Sequence, residues 1–193
     1  MPTPLSASSP ASVREAALSL EDRDAIRDLR ARFSDAANLR QFDAFAALFA
    51  ADGVWEVPDM HAAFHGRGAV RTGIESMLDQ WSLFVQMPHD GPIDVAEAAA
   101  DGTVIRASGR TYVHEIGTLR TGGAQRNDSI YEDAYVREHG AWRFARRTYH
   151  FLYVDETALA GHGVPLPREL AAARAGDALA RLGATGTARE EQR

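Results

Sequence analysis

The chain contains no cysteine, and all 21 of its Lys and Arg positions are arginine. The first absence removes thiol nucleophiles, disulfides, thiolate zinc sites and iron–sulfur clusters. The second removes Schiff-base chemistry, a phosphate-cradling P-loop lysine and a lysine general base. Acidic residues outnumber basic ones, 27 against 21, for a formal net charge of −6 and a pI near 5.6. No basic stripe is interleaved with aromatics, so a nucleic-acid partner is not expected. Long apolar runs are missing too. The longest, Ala44–Ala51, has eight residues, against the ~20 that a membrane span needs. Met1–Ser12 is rich in Pro, Ser and Ala and has neither a charged n-region nor an apolar h-region. The expectation is a soluble cytoplasmic protein that does not meet a membrane.

What is present suits one domain with tails in 193 residues. A domain of ~150 residues buries roughly 70% of its unfolded-chain surface, enough for a core and an internal pocket. Ser19 with Asp22 three positions on reads as an N-cap with an acidic first turn. Ile26, Leu29, Phe33 and Ala36/Ala37 then recur at helical spacing. A short second helix is expected over Phe42–Ala50 and a strand over Val54–Val57. After Gly66-Arg67-Gly68 the spacing of Val70, Ile74, Met77, Leu78 and Trp81 predicts a third helix over Ala69–Phe84.

Strand patterns follow at Ile93–Ala98, Thr103–Ile116, Ser129–Glu138 and Ala141–Val154. His139-Gly140 reads as a two-residue hairpin loop, with Gly supplying positive φ. That register pairs Tyr135 with Phe144, Asp133 with Arg146 and Glu132 with Arg147. It also gives Tyr131, Tyr135, Trp142 and Phe144 one sheet face, which the helices should cover. Arg168–Leu182 reads as a last, weakly amphipathic helix. Helices first and antiparallel strands after them mean α+β, with the helices on one face of a curved sheet.

The stretch "NLRQFDAFAALFAADGVWE", followed by "FHGRGAV", "MPHDGPIDV" and "SIYEDAYVREHGAWRFARR", resembles SnoaL-like proteins of the nuclear transport factor 2 superfamily in content and order. The resemblance covers about Leu20 to Asp155. It implies a cone: a curved antiparallel sheet wrapped by three N-terminal helices around an apolar cavity. The expected division is therefore a disordered tail over 1–18, the cone domain over 19–155, an extension with a helix over 156–182, and a disordered tail over 183–193. The superfamily includes dehydratases, a dehydrochlorinase, ketosteroid isomerase and polyketide cyclases, and also members without chemistry, so function rests on the site.

By that resemblance His89 lies where the dehydratase and dehydrochlorinase branches carry a catalytic histidine. If the strand runs on from it, His89 shares the inward face of Ile93 and Val95. An imidazole in an apolar pocket stays neutral and can accept a proton near neutral pH. The family's orienting aspartate is replaced here by Asn38, which can hold an imidazole tautomer but supplies no charge. Asp35 falls on the solvent side of the first helix. Phe33, where several relatives carry a tyrosine, reads as a cavity wall. On the long strand, alternation puts Glu115 on the apolar face with Thr111 and Val113, and His114 on the other face unless a bulge at Gly109 exchanges them.

Trp55, Trp81, Tyr131 and Phe151 are expected to enclose the cavity with Phe33, and Arg147 is a candidate clamp for a substrate oxygen. His61 and His65 lack a third ligand, so no metal and no cofactor are expected. The outer face, with Ile130, Ala134 and Val136, is apolar enough to suggest a homo-oligomer. The function expected is a cofactor-independent lyase or isomerase. His89 would take a proton from a small apolar or polycyclic substrate, with Asn38 orienting it and Glu115 or His114 assisting. The alternative is a binding or accessory protein of the same fold with no chemistry.

Overall fold

The structure, a computed structural model, describes residues 17–167. The helix expected at 168–182 and most of the two expected tails lie outside the described residues. Ser19 accepts a hydrogen bond from the Asp22 N–H and opens helix α1, Leu20–Asn38. Helix α2 covers Phe42–Ala47 and α3 covers Gly66–Asp79. Among the described residues seven strands follow in chain order among and after them: β1 (Phe49–Val57), β2 (Ala62–His65), β3 (Trp81–His89), β4 (Ile93–Ala98), β5 (Val104–Leu119), β6 (Ala124–Glu138) and β7 (Ala141–Asp155). They form one sheet in the order β2-β1-β7-β6-β5-β3, with β4 also paired to β5. The pairings are antiparallel except β1–β7, which is parallel. The result is the expected α+β cone, with a mixed rather than wholly antiparallel sheet. Among the described residues no helix is long and apolar enough to cross a membrane.

The core centres on Phe33 of α1, whose ring lies 4.3 Å from Phe45, 5.3 Å from Tyr131 and 5.7 Å from Phe144 between centroids. Ile26, Leu29, Ala36 and Ala37 complete the buried stripe of α1. Arg30 and Ser34 are buried on the same helix, although their polarity gave no sign of it.

Two elements differ from the periodicity. The third helix ends at Asp79, and residues 81–89 form β3 instead of its last turns. An apolar run such as Trp81-Ser82-Leu83-Phe84-Val85 fits either period, and tertiary contacts decide it. Arg40 donates to the carbonyls of Leu78 and Trp81, holding the chain where the helix stops. Trp81 then lies across Gly117 of β5, where a Cβ would sit 2.5 Å from the indole ring. Ala62–His65 pairs with β1 as β2.

The second difference is in the β6–β7 hairpin. His139 and Gly140 take positive φ values of 50° and 79° at the loop, and Glu138–Ala141 and Tyr135–Phe144 pair as expected. The register then slips by one residue at Ala145 on β7, so that Ala134 faces Arg146 and Asp133 faces Arg147. A bulge of one residue exchanges the faces of every side chain beyond it. Trp142 and Phe144 point inward before it; Arg147, Tyr149 and Phe151 point inward after it. On β5 no such slip occurs: its pairing with β6 is continuous through Gly109, so the faces are not exchanged there.

Candidate active site

Between the three helices and the inner face of the sheet lies a cavity of about 290 Å³. Phe33, Trp55, Trp81, Tyr131 and Phe151 all line it, and Met60 and Gln80, both exposed, mark where it meets solvent. Aliphatic residues of α3 (Ile74, Met77, Leu78) complete one wall. Glu115 is the one charged side chain among the described residues that line the cavity.

Strand alternation places Glu115. β5 turns Thr111, Val113 and Glu115 inward, and Glu115 is 8% exposed. Three other strands supply its partners. Gln86 of β3, directly opposite, donates from Nε2 to Oε1; Tyr149 of β7 donates its hydroxyl to Oε2; Asn127 of β6 reaches Oε2 at 3.4 Å. Tyr131 sits beside them, its oxygen 3.5 Å from Gln86 Nε2 and its ring centroid 5.0 Å from that of Tyr149. Burial first, and the Glu115 charge second, push both phenols above their ordinary range. Tyr131 and Tyr149 are therefore standing hydrogen-bond donors, not bases.

Gln86 is held from the other side by α1. The Ser34 hydroxyl donates to Gln86 Oε1 at 2.6 Å. One turn further on, Asn38 accepts from the Gln86 backbone N–H at 2.7 Å and donates to its carbonyl at 2.8 Å.

The sequence of this cone is matched over residues 18–148 by the model of the SnoaL-like domain. The chain belongs to that family. A search of curated proteins found no match. Solved structures share the fold at low identity. Hexachlorocyclohexane dehydrochlorinase type 3 from Novosphingobium barchaimii is 20% identical, covering 76% of this chain and 97% of its own, with a TM-score of 0.66. A candidate aromatic ring hydroxylase from Novosphingobium aromaticivorans is 23% identical, covering 73% and 96%, with a TM-score of 0.65. A candidate scytalone dehydratase from the same species is 20% identical, covering 72% and 90%, with a TM-score of 0.61.

The SnoaL-like cavity here contains no histidine among its described lining residues. His89 ends β3 opposite Tyr112 and is exposed on the outer face. The inward placement required one strand running from His89 to Ile93, but His89 is the last residue of β3. The strand is interrupted at Asp90-Gly91-Pro92 before β4, so His89 does not share the face of Ile93. On β3 it is Gln86, opposite Glu115, that points in. Asn38 consequently grips the Gln86 backbone and not an imidazole. His114 is on the outer face, its Nδ1 2.9 Å from Asp128 on the neighbouring strand.

Arg147 also departs from its expected role as a substrate clamp. The bulge turns it inward but beneath the cavity wall, where its guanidinium lies 4.0–4.4 Å from the ring centroids of Tyr131, Phe33 and Phe144. Its Nε is 3.0 Å from Asp133, both side chains being at most 1% exposed. Asp133 in turn accepts from Thr111 at 3.0 Å and from the Tyr135 hydroxyl at 2.6 Å. Arg30 reaches Tyr135 at 2.7 Å and binds the carbonyls of Gly91 and Pro92, tying α1 to the β3–β4 turn. The buried arginines Arg30 and Arg147 thus both lie against the buried Asp133, at 3.9 and 3.0 Å. Arg146 points outward and pairs with Glu56 on β1 at 2.7 Å.

Proposed function

We propose that this SnoaL-like protein is a cofactor-independent lyase or isomerase that takes a proton from carbon beside a carbonyl on a small cyclic substrate. The observation that carries this reading is Glu115, a buried carboxylate alone in charge among the cavity's described lining residues, with two tyrosine hydroxyls beside it. Its oxygen accepts the proton and the C–H electron pair moves toward the carbonyl, forming an enolate. Tyr131, whose hydroxyl receives only the 3.5 Å contact from Gln86, has its own proton free to donate to the enolate oxygen. In elimination, the enolate collapses and the bond from the β-carbon to its oxygen breaks. The departing oxygen takes the proton from Glu115, giving an unsaturated carbonyl and water. In isomerisation, Glu115 returns the proton to the γ-carbon. Both routes regenerate the carboxylate and need no co-reactant.

General acid–base help of this kind supplies ~10²–10⁴-fold, so the substrate C–H must already be acidified by its carbonyl. A cavity of about 290 Å³ is at the small end of ligand pockets, roughly 300–1,000 Å³. That favours one or two rings over larger polycyclic molecules. The names of two relatives, a dehydrochlorinase and a candidate dehydratase, support an elimination. One feature favours the second reading, binding without turnover: both Glu115 oxygens already accept hydrogen bonds, so a substrate must compete for a lone pair.

The test is proton exchange. β-Tetralone, a two-ring ketone with an acidic C–H, is incubated with the protein in heavy water, and deuterium incorporation is followed by NMR. Exchange above the buffer rate in the wild type, reduced at least about 100-fold in Glu115→Gln, is the expected result. Binding of β-tetralone without any exchange would leave the binding reading standing.

A further inference from the structure

A base that shuttles a proton must have hydrogen-bond partners in both of its states. Ionised, Glu115 only accepts; holding a proton, it must also donate. Gln86 is the neighbour that can satisfy both, because a primary amide has a carbonyl on one side and an N–H group on the other. Turning the amide over exchanges them within nearly the same volume, and the terminal torsion of glutamine is broad and roughly two-fold. The exchange is costly only if the group on the amide's far side cannot follow. Here that group is Ser34, a hydroxyl that can donate or accept by rotation, 3% exposed and hydrogen-bonded to Gln86 alone. The Gln86 backbone does not have to move, since Asn38 holds its N–H and its carbonyl at 2.7 and 2.8 Å.

We infer that Gln86 is a two-position amide: its N–H faces Glu115 while the carboxyl is ionised, its carbonyl faces Glu115 once the carboxyl holds a proton, and Ser34 turns its hydroxyl to match. The structure shows the first position, Ser34 donating to Oε1 and Nε2 donating to Glu115. In the second, Glu115 donates to Oε1 and Nε2 donates to Ser34 Oγ. No bond is made or broken beyond the proton that Glu115 carries. The other groups facing Glu115 are Asn127 and Tyr131 from β6 and Tyr149 from β7. The nearest buried charges behind them, Arg147 and Asp133, are paired with each other. Tyr131 and Tyr149 are kept protonated by burial, so neither phenol supplies a change of charge at this point. The inference rests on the proposed function only in taking Glu115 as the carboxyl that gains and loses a proton.

The experiment is an NMR titration of the whole chain, which involves no turnover. The Gln86 side-chain amide is identified by its loss in Gln86→Met and the Glu115 carboxyl by its loss in Glu115→Gln. The expected result is that the Gln86 amide resonances change with the same midpoint as the Glu115 carboxyl. Amide resonances that stay fixed through that titration overturn the inference.

Ser34→Ala adds a test of sign. In this variant the first position leaves a carbonyl without a partner, but the second leaves a buried N–H without one, the worse defect. The Glu115 midpoint should therefore move down, by about half a unit to one unit, as befits part of one hydrogen bond. Ser34→Thr, which keeps the hydroxyl, should restore it. A merely structural serine would leave the midpoint in place, and one that only polarises the amide would move it up; either result overturns the inference. If Ser34→Ala fails to fold, the wild-type titration decides alone. β-Tetralone exchange that fails while the two midpoints coincide removes the catalytic reading and leaves this one.

Discussion

Replacing Arg147 by methionine separates a structural cation from a substrate clamp. The guanidinium lies 4.0, 4.1 and 4.4 Å from the centroids of Tyr131, Phe33 and Phe144, and 3.0 Å from Asp133. Methionine fills much of the same space, so the change is mainly the loss of charge. Asp133 would keep Thr111 and Tyr135 as donors, with Arg30 3.9 Å away as its remaining cation. Removing one member of a buried pair costs about 3–5 kcal/mol, because the other is left charged and poorly compensated. For a chain of this size each kcal/mol lowers Tm by roughly 2–4 °C, giving a fall of roughly 6–20 °C. Thermal unfolding followed by circular dichroism measures this, with β-tetralone affinity measured on the folded variant at low temperature. Arg147→Met should melt early yet bind the ketone within a few-fold of wild type, since the Phe33 and Tyr131 rings stand between Arg147 and the cavity. A Tm within about 2 °C of wild type combined with lost binding would refute the placement and restore the clamp.

Three further outcomes are expected. Tyr131, Tyr135 and Tyr149, all raised chiefly by burial, should remain protonated in the native protein where a free phenol, pKa about 10, ionises. Their contribution to stability is complete below that value and is lost as pH rises above it, so urea midpoints should fall in alkali; in a background with the exposed Tyr112 and Tyr153 replaced by Phe, phenolate absorbance should rise only with unfolding. Asn38→Asp exchanges the donor to the Gln86 carbonyl for a second acceptor and should cost about 1–3 kcal/mol in urea unfolding; an unchanged midpoint would show that the fork on β3 contributes nothing. The half-buried outer-face residues Ile130, Ala134 and Val136 are proposed to meet a second copy of the chain. Light scattering should report an oligomer that Ala134→Arg disperses, and a monomeric wild type at micromolar concentration would count against it.

Local order in this protein was legible in local pattern. Ser19 capping α1, the stripe from Ile26 to Ala37, and the loop at His139-Gly140 all depend on neighbours a few residues away. So does the inward face of β5, because alternation along an unbroken strand has a period of two; Glu115 was identifiable for that reason. Tertiary structure decided what local pattern left open. Whether 81–89 is helix or strand depended on Arg40 holding the end of α3 and on the bare backbone at Gly117, which lets Trp81 lie on β5. That choice sent His89 outward and Gln86 inward. Whether Arg146 or Arg147 is buried depended on one unpaired residue, Ala145, and a bulge is set by the partner strand's register, not by the bulged strand's composition. Gln86 draws its partners from α1, β5 and β6, 29 to 52 residues away. No spacing rule within one strand reaches that far, because the contacts exist only once the sheet has curled around α1.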